Sequence, residues 1–430
     1  MDRVDDFLIR HKIKAETIDD DAVLSSFLSE MEKGLDGEKS SLQMIPTYCS
    51  LEGNIKPGDK VIVLDAGGTN FRTCLVTFND ELEPEISDFK KVGMPGVKSE
   101  VSAKEFFSTL ADNVERLIDK ADKIGFCFSY AATITEDHDG IPIMFSKEIK
   151  APEVIGMPIG ASLLKELESR GHDVSKKKVS VVNDTVATLL ATKAKCSFPC
   201  SGYIGFILGT GTNTAYAELN SNIGKIRMED GAQRQIINVE SGDMHLTLGD
   251  IDKAFVAGTK DPGSYFFEKA ISGAYLGPFS HLVISEAIKE GVLTKGFGER
   301  FALIPTLSTT YMSNYLEMPN NRDYVLVSLI DNEEDASALY RILDAVIERA
   351  AKLTAINLTA AVLKSGLGMN PRLPVIINAD GTTFYKTEGL EFYTRKYLFD
   401  ILQKKHGRYV KIVNVPDSPV YGAAIAGCSV

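Results

Sequence analysis

The sequence predicts an α/β protein built from two domains, and three observations support that expectation. At 430 residues the chain is longer than one hydrophobic core usually sustains. Its strand-like runs come first in pairs or triplets and then alternate with helical segments, the order of an α/β architecture. Near residue 200 the whole order begins again.

Residues 1–50 read as helical, with apolar and polar residues mixed at helical spacing. The first strands are "KVIVLDA" and "FRTCLVTF", followed by a weaker one near "EPEISDFKKV". "SAKEFFSTLADNVERLIDK" sets Phe106, Phe107, Leu110, Val114, Leu117 and Ile118 on one helical face, with Ser102 in position to cap it. A buried strand "KIGFCFS", a loop through Gly140, a helix near 160–170 and the strand "KVSVVN" complete the first set. The second set opens with "YIGFILGT", "TNTAYAEL" and "RQIINVES", and long helices follow, the clearest at about 335–365. The strand "LPVIINAD", a helix at about 389–405, the strand "RYVKIVNV" and the small-residue helix "SPVYGAAIAG" close the chain. The expected division is a helical segment 1–55 packing on the large domain, a small α/β domain 56–195, and a large α/β domain 196–416. The last helix, 417–430, is expected to return to the small domain.

Composition excludes several functions. With a net charge of −12 and no basic stripe, the chain does not suit nucleic acid or an anionic membrane surface. No run approaches the roughly 18 apolar residues of a membrane span, and "MDRVDDFLIRHKIKAETIDDD" lacks the apolar core of a signal peptide. Six cysteines in so long a chain make no disulfide framework, and the Cys196–Cys200 pair has neither a second pair nor a nearby histidine. Reduced thiols and a cytoplasmic location are the expectation. The six histidines are scattered singly, so a structural zinc site is not expected, and any metal should be a hard ion held by carboxylates and phosphates.

Two stretches carry chemistry. In "VIVLDAGGTNFRTCLVTF", apolar strands are separated by Asp65, Ala66, Gly67, Gly68, Thr69 and Asn70. A plain hairpin turn accounts for the glycines alone. However, Gly68-Thr69-Asn70 recurs as Gly211-Thr212-Asn213, again between apolar strands and once per expected domain, which suggests two loops around a shared ligand. Glycines admit close approach and positive φ, turning successive amides toward an anion such as phosphate. Asp65 beside such a loop calls for a cation, and Mg²⁺ is typically held by one or two carboxylates plus phosphate oxygens. There is no G-x-x-x-x-G-K-[ST], and Gly209-Thr-Gly211 meets Thr214 where a dinucleotide fingerprint requires glycine. In "VVNDTVATLL", Asp184 stands where a strand ends and a helix begins. It reads either as a helix N-cap or as ligand chemistry at the end of a central strand, and the two roles are compatible.

"LDAGGTNFR", "VVNDTVATLL", "LGTGTNTAYAE", "INVESG" and "FEKAISGAYLG" occur in this order, and together they resemble the hexokinase family. "INADGTTFYKT" and "GAAIAG" resemble that family's adenosine-side segments, and the likeness runs from "MIPTY" near 44 to 427, a length that suits one catalytic unit. The resemblance implies two ribonuclease H-like domains of the actin-like ATPase superfold, closing around a central cleft that takes ATP, Mg²⁺ and a hexose. It implies a first phosphate loop of Asp65, Gly67, Gly68, Thr69 and Asn70, with Arg72 reaching the transferring phosphoryl group. A second loop is Thr210, Gly211 and Thr212, and Gly381, Thr382, Gly422 and Ala423 flank adenosine. Asp184 is the implied general base, Lys147 joins it and Arg72 as catalytic residues, and Asp65 and Asp184 meet the metal through water. Ser129, Ser146, Lys147, Asn183, Asp184, Asn213, Glu240 and Glu268 are the implied sugar contacts. The chain departs from the family pattern at Tyr130, Ala131 and Ala132, where Pro-Cys and Gln are usual, at Ser241 in place of Trp, and at Ser146 in place of Thr. Glucose is the first expectation. Mannose, fructose or an N-acetylated hexosamine, or a sensor that binds without turnover, are the alternatives; the sequence leaves oligomeric state unspecified.

Overall fold

A computed structural model describes residues 2–51, 55–145, 149–196, 198–228 and 230–430. Helices α1 (Arg3–Arg10) and α2 (Asp20–Asp36) lead the chain, and the Asp19 carboxylate caps α2 by accepting from the Asp21 and Ala22 amides. A short strand β1 (Ile45–Pro46) precedes β2 (Lys60–Ala66), β3 (Asn70–Phe78) and β4 (Pro84–Gly93). Helix α3 (Ala103–Val114) opens with a Ser102/Glu105 capping box. Strand β5 (Lys123–Phe128), the hairpin β6 (Ala132–Ile134) and β7 (Gly140–Pro142), helix α4 (Ile159–Ser169), strand β8 (Lys178–Val182) and helix α5 (Asp184–Lys195) follow.

The second half opens with β9 (Gly202–Leu208), β10 (Thr212–Leu219) and β11 (Arg234–Asn238). A helical stretch then runs through α6 (Asp250–Ala257), α7 (Phe266–Ile271), α8 (Gly273–Lys289), α9 (Lys295–Phe301), α10 (Thr309–Glu317), α11 (Val325–Ser328) and the long α12 (Glu333–Ser365). Strand β12 (Val375–Asp380), helices α13 (Thr382–Lys386) and α14 (Leu390–Tyr397), strand β13 (Val410–Val413) and helix α15 (Ser418–Cys428) complete it. Among the described residues no helix is long and apolar enough to cross a membrane.

The two sheets share one topology. The first is ordered β4-β3-β2-β5-β8, antiparallel through β4, β3 and β2 and parallel from β2 to β8. The second is ordered β11-β10-β9-β12-β13 with the same change of sense, and β1 is added at its edge. The sequence restart near 200 is therefore a repeat of architecture, and the β2–β3 and β9–β10 hairpins occupy equivalent places.

Burial explains how the halves join. Apolar residues of α1 and α2, among them Phe7, Phe27 and Leu35, share one core with β9, α8 and α12. A second core lies under α3 and α4 on the first sheet. A third cluster, including Val61, Val63, Val186, Leu189, Ala215 and Ala424, runs from the first sheet through α15 and α5 to β10. Helix α5 packs on β9, β10 and β12, α15 packs on β2 and β5, and the two helices pack on each other. Side chains at the start of α5 thus lie where the two sheets meet.

Candidate active site

In the β2–β3 hairpin, Asp65 and Arg72 face each other on the second rung from the turn, and Arg72 Nη1 donates to Asp65 Oδ2 at 3.1 Å. Asp65 is 4% exposed. Desolvation lifts its pKa to about 6, the Arg72 charge opposes that rise, and the nearby Asp184 carboxylate adds to it. The turn is held from within by Gly67 N donating to Asn70 O at 3.0 Å, and by three neighbours, the first being Met94 N, which donates to Thr69 O at 3.0 Å. Ser129 N donates to Ala66 O at 3.1 Å, and the Tyr130 hydroxyl reaches Gly67 O at 2.8 Å and Gly68 O at 3.2 Å. Thr69 is exposed, and Asn70 Nδ2 donates to Thr69 Oγ1 at 3.1 Å. The expectation of positive φ at Gly67 and Gly68 is corrected here, because neither has it. A Cβ on Gly68 would meet nothing within 4 Å, so glycine at this position keeps space open beside the backbone.

The β9–β10 hairpin is also held from behind, by other groups. Gly209 N donates to Gly211 O at 2.9 Å, and Gly209 O accepts from Gly273 N at 2.9 Å and from the Thr383 hydroxyl at 2.8 Å. Thr210 O accepts from Ala274 N at 3.2 Å. Thr212 N donates to Glu268 Oε2 at 3.0 Å, and a Cβ on Gly211 would lie 2.4 Å from that same oxygen. Glycine at 211 is what allows the α7 carboxylate to reach the strand. Gly381, at φ 118°, lies against Leu208 O where a side chain would clash, and Thr382 opens α13 beside it.

Between the hairpins lies a polar centre. Asn183 caps α5, its side chain accepting from Thr185 N at 2.9 Å, and Asp184 is the first helical residue. The reading of Asp184 as the N-cap is thereby corrected: the cap is its neighbour, which is equally suited to the task. Asn213 Nδ2 reaches Asn238 Oδ1 at 2.7 Å, Glu240 Oε1 at 3.3 Å and Asn183 Oδ1 at 3.4 Å. Asn238 Nδ2 donates to Glu240 Oε1 at 2.8 Å. Glu240 sits in the left-handed region at φ 57°, a conformation that costs a non-glycine residue on the order of 1–3 kcal/mol and is common at functional sites. Desolvation pushes its carboxyl up to about 7; the Asn238 hydrogen bond opposes the rise, and the charges of Asp184, Glu268 and Asp243 add to it. Asn238 was missed by the sequence reading, although it stands two residues before Glu240 in "INVESG". Ser241, where the family pattern has Trp, is fully buried with its hydroxyl 3.2 Å from Thr214 Oγ1.

Ser146 and Lys147 lie outside the described residues. Gly422 and Ala423 are buried in helix packing. A Cβ on Gly422 would meet Ala187 O of α5 at 2.0 Å, and Ala423 O presses against Gly125 of β5. Their small size is explained by the closeness of α15 to α5 and the sheet.

Among the described residues no three or more His, Cys, Asp or Glu side chains cluster as a metal cage. The donor set that does exist, Asp65 with Asp184 near enough to raise its pKa, fits an ion such as Mg²⁺, which is satisfied by one or two carboxylates and completes its shell with phosphate and water.

Residues 203–429 match a family model described as Hexokinase, and residues 3–194 match a second model with the same description. Hexokinase-1 of Homo sapiens is 29% identical over 429 residues, covering 92% of this chain and 44% of that protein. The chain therefore spans under half the length of this relative. Glucokinase of Aspergillus niger is 25% identical over 458 residues, with 94% and 92% covered, and Hexokinase of Schistosoma mansoni is 28% identical over 417 residues, with 90% and 88% covered. The solved structure of the Schistosoma mansoni hexokinase complexed with glucose shares the fold at a TM-score of 0.80, with 24% identity over 99% of both chains. A second hexokinase crystal structure does so at 0.78, with 22% identity over 99% of this chain and 98% of the other. The shared fold is that of two actin-like ATPase domains.

Proposed function

The chain belongs to the hexokinase family, and from that premise we propose that it transfers the γ-phosphoryl group of ATP to the primary 6-hydroxyl of a hexose, glucose being the first candidate. The observation that carries this reading is the convergence of Asp184, Asn183, Asn213, Glu240 and Glu268 between two equivalent hairpin turns whose carbonyls are held from behind. Asn213 and Asn238 offer amides, Glu240 and Glu268 offer carboxylates, and a ring of sugar hydroxyls is read best by such fixed donors and acceptors. A relative named Glucokinase and a fold neighbour complexed with glucose support glucose over other hexoses.

In the proposed reaction Asp184 accepts the proton of the 6-hydroxyl as that oxygen attacks the γ-phosphorus. The new O6–P bond forms while the bond from phosphorus to the β,γ-bridging oxygen breaks, and ADP departs with that oxygen. Phosphoryl transfer is mostly a matter of positioning and charge compensation. Arg72, held on Asp65, supplies a guanidinium beside the first turn, and Lys147 is assigned the same task from the sugar side. The turn 67–70 and the turn 210–212 bind the polyphosphate, with Gly381 and Thr382 toward the nucleoside. Mg²⁺, when bound, supplies charge neutralisation of the phosphates, and Asp65 and Asp184 are the residues that would hold it. Ser129 and Ser146 complete the sugar contacts. Closure of the two lobes on the sugar excludes water, which would otherwise compete as acceptor.

A coupled ADP-release assay over glucose, mannose, fructose and N-acetylated hexosamines tests the reading. Sugar-dependent ADP release, fastest with glucose, is expected. Sugar binding by calorimetry with no ADP release would replace the enzyme by a binding protein, and neither binding nor release would end the proposal.

A further inference from the structure

The first phosphate turn is shaped by a side chain that no comparison assigns. Tyr130 is 3% exposed, its ring packed against Phe128 at 4.9 Å and Phe145 at 5.2 Å, and its hydroxyl lies 2.8 Å from Gly67 O and 3.2 Å from Gly68 O. A planar trans peptide points its C=O and the following N–H in opposite directions. Drawing the Gly67 and Gly68 carbonyls toward Tyr130 therefore turns the Gly68 and Thr69 amides the other way, toward the open space beside Gly68. Among the described residues no group accepts from either amide. Two consecutive outward amides over open space form an anion-binding concavity.

We propose that Tyr130 is a positioning residue for phosphoryl transfer: its hydroxyl fixes the Gly67-Gly68 turn with its amides directed at the ATP phosphates. The second turn supports this reading, since its Gly209 and Thr210 carbonyls are likewise held from behind, there by the Gly273 and Ala274 amides. The phenol suits a permanent donor, because burial and the Asp65 and Asp184 charges keep its pKa above the ordinary value.

The inference deepens the proposed kinase reading and rests on it, and Tyr130→Phe tests it by removing only the hydroxyl. One neutral hydrogen bond corresponds to a change of about threefold to tenfold. Y130F is expected to raise KM for ATP and the Kd for MgADP by that factor, with the glucose Kd within twofold and the melting temperature nearly unchanged. Tyr130→Leu, which also removes the ring, is expected to melt earlier. Calorimetry with MgADP separates the two hypotheses. A wild-type chain that phosphorylates no sugar ends the functional reading, whereas equal MgADP affinity in wild type and Y130F ends this one. An equal loss for glucose and MgADP together with a fall in melting temperature would assign Tyr130 to packing alone and overturn the proposal as well.

Discussion

In the β2–β3 hairpin a carboxylate and a guanidinium face each other across the second rung, Asp65 opposite Arg72, whereas the same rung of β9–β10 pairs Ile207 with Asn213. The second hairpin receives its carboxylate from outside, when Glu268 of α7 reaches the Thr212 amide through the notch left by Gly211. The backing differs too: the Gly273 and Ala274 amides and the Thr383 hydroxyl hold the second turn, while the Tyr130 phenol and the Ser129 and Met94 amides hold the first. One topology, used twice, thus supplies a hairpin that carries its own ion pair and a hairpin whose acid is borrowed from α7. The difference also says which glycine matters for what. Gly211 makes room for a protein side chain, and Gly68 leaves open space beside the backbone.

Substitutions at the two glycines should separate these roles. Gly211→Ala puts a methyl group 2.4 Å from Glu268 Oε2, so the carboxylate must leave its place. The loss of a charge-assisted contact is expected to weaken glucose binding roughly 10- to 100-fold, read by calorimetry. Unchanged glucose affinity would show that Glu268 does not read the sugar. Gly68→Ala meets no protein atom within 4 Å, so its melting temperature should equal that of the wild type. Its KM for ATP should rise about tenfold, equivalent to about 1.4 kcal/mol, with glucose affinity unaltered. The opposite pattern, glucose lost and ATP retained, would remove the 67–70 turn from the polyphosphate site.

A third prediction concerns the acid side of the comparison. Glu240 has its pKa pushed up to about 7, and a sugar hydroxyl donates best to the ionised form. Glucose affinity should therefore climb about tenfold from pH 6 to 8 as that carboxyl loses its proton, and in Glu240→Gln it should be weaker and flat. Stability runs the other way. A carboxyl whose folded pKa is raised contributes stability that is present below its unfolded pKa and lost as pH rises through about 7. The melting temperature of the wild type should accordingly fall relative to E240Q between pH 5 and 8. Parallel melting curves would mean that the buried acid is not the group under strain.

Much of this was legible in the residues. Both strand triplets, the restart near 200 and the paired Gly-Thr-Asn turns could be read, because alternating burial and turn chemistry are local signals. Three features could not, each for a physical reason. Asn183 and Asp184 are both good caps, and only the backbone dihedral decides which one caps α5. The hold of Tyr130 on Gly67 spans 63 residues of chain and leaves no periodic trace. The close seating of α15 on α5 and β5, which Gly422 and Ala423 permit, joins segments far apart in the chain. Glu240 and Glu268 were within reach through family resemblance, yet their geometry was not, since Glu268 comes to Thr212 from 56 positions away.

The measurement closest to the central claim is glucose-dependent turnover of Asp184→Ala beside its glucose affinity. Removing a positioned base costs roughly 10²- to 10⁴-fold in rate, so kcat should fall by that much while glucose still binds within a few-fold of the wild type. Turnover within threefold of the wild type would contradict the account, because the proton of the 6-hydroxyl would then be leaving by another route.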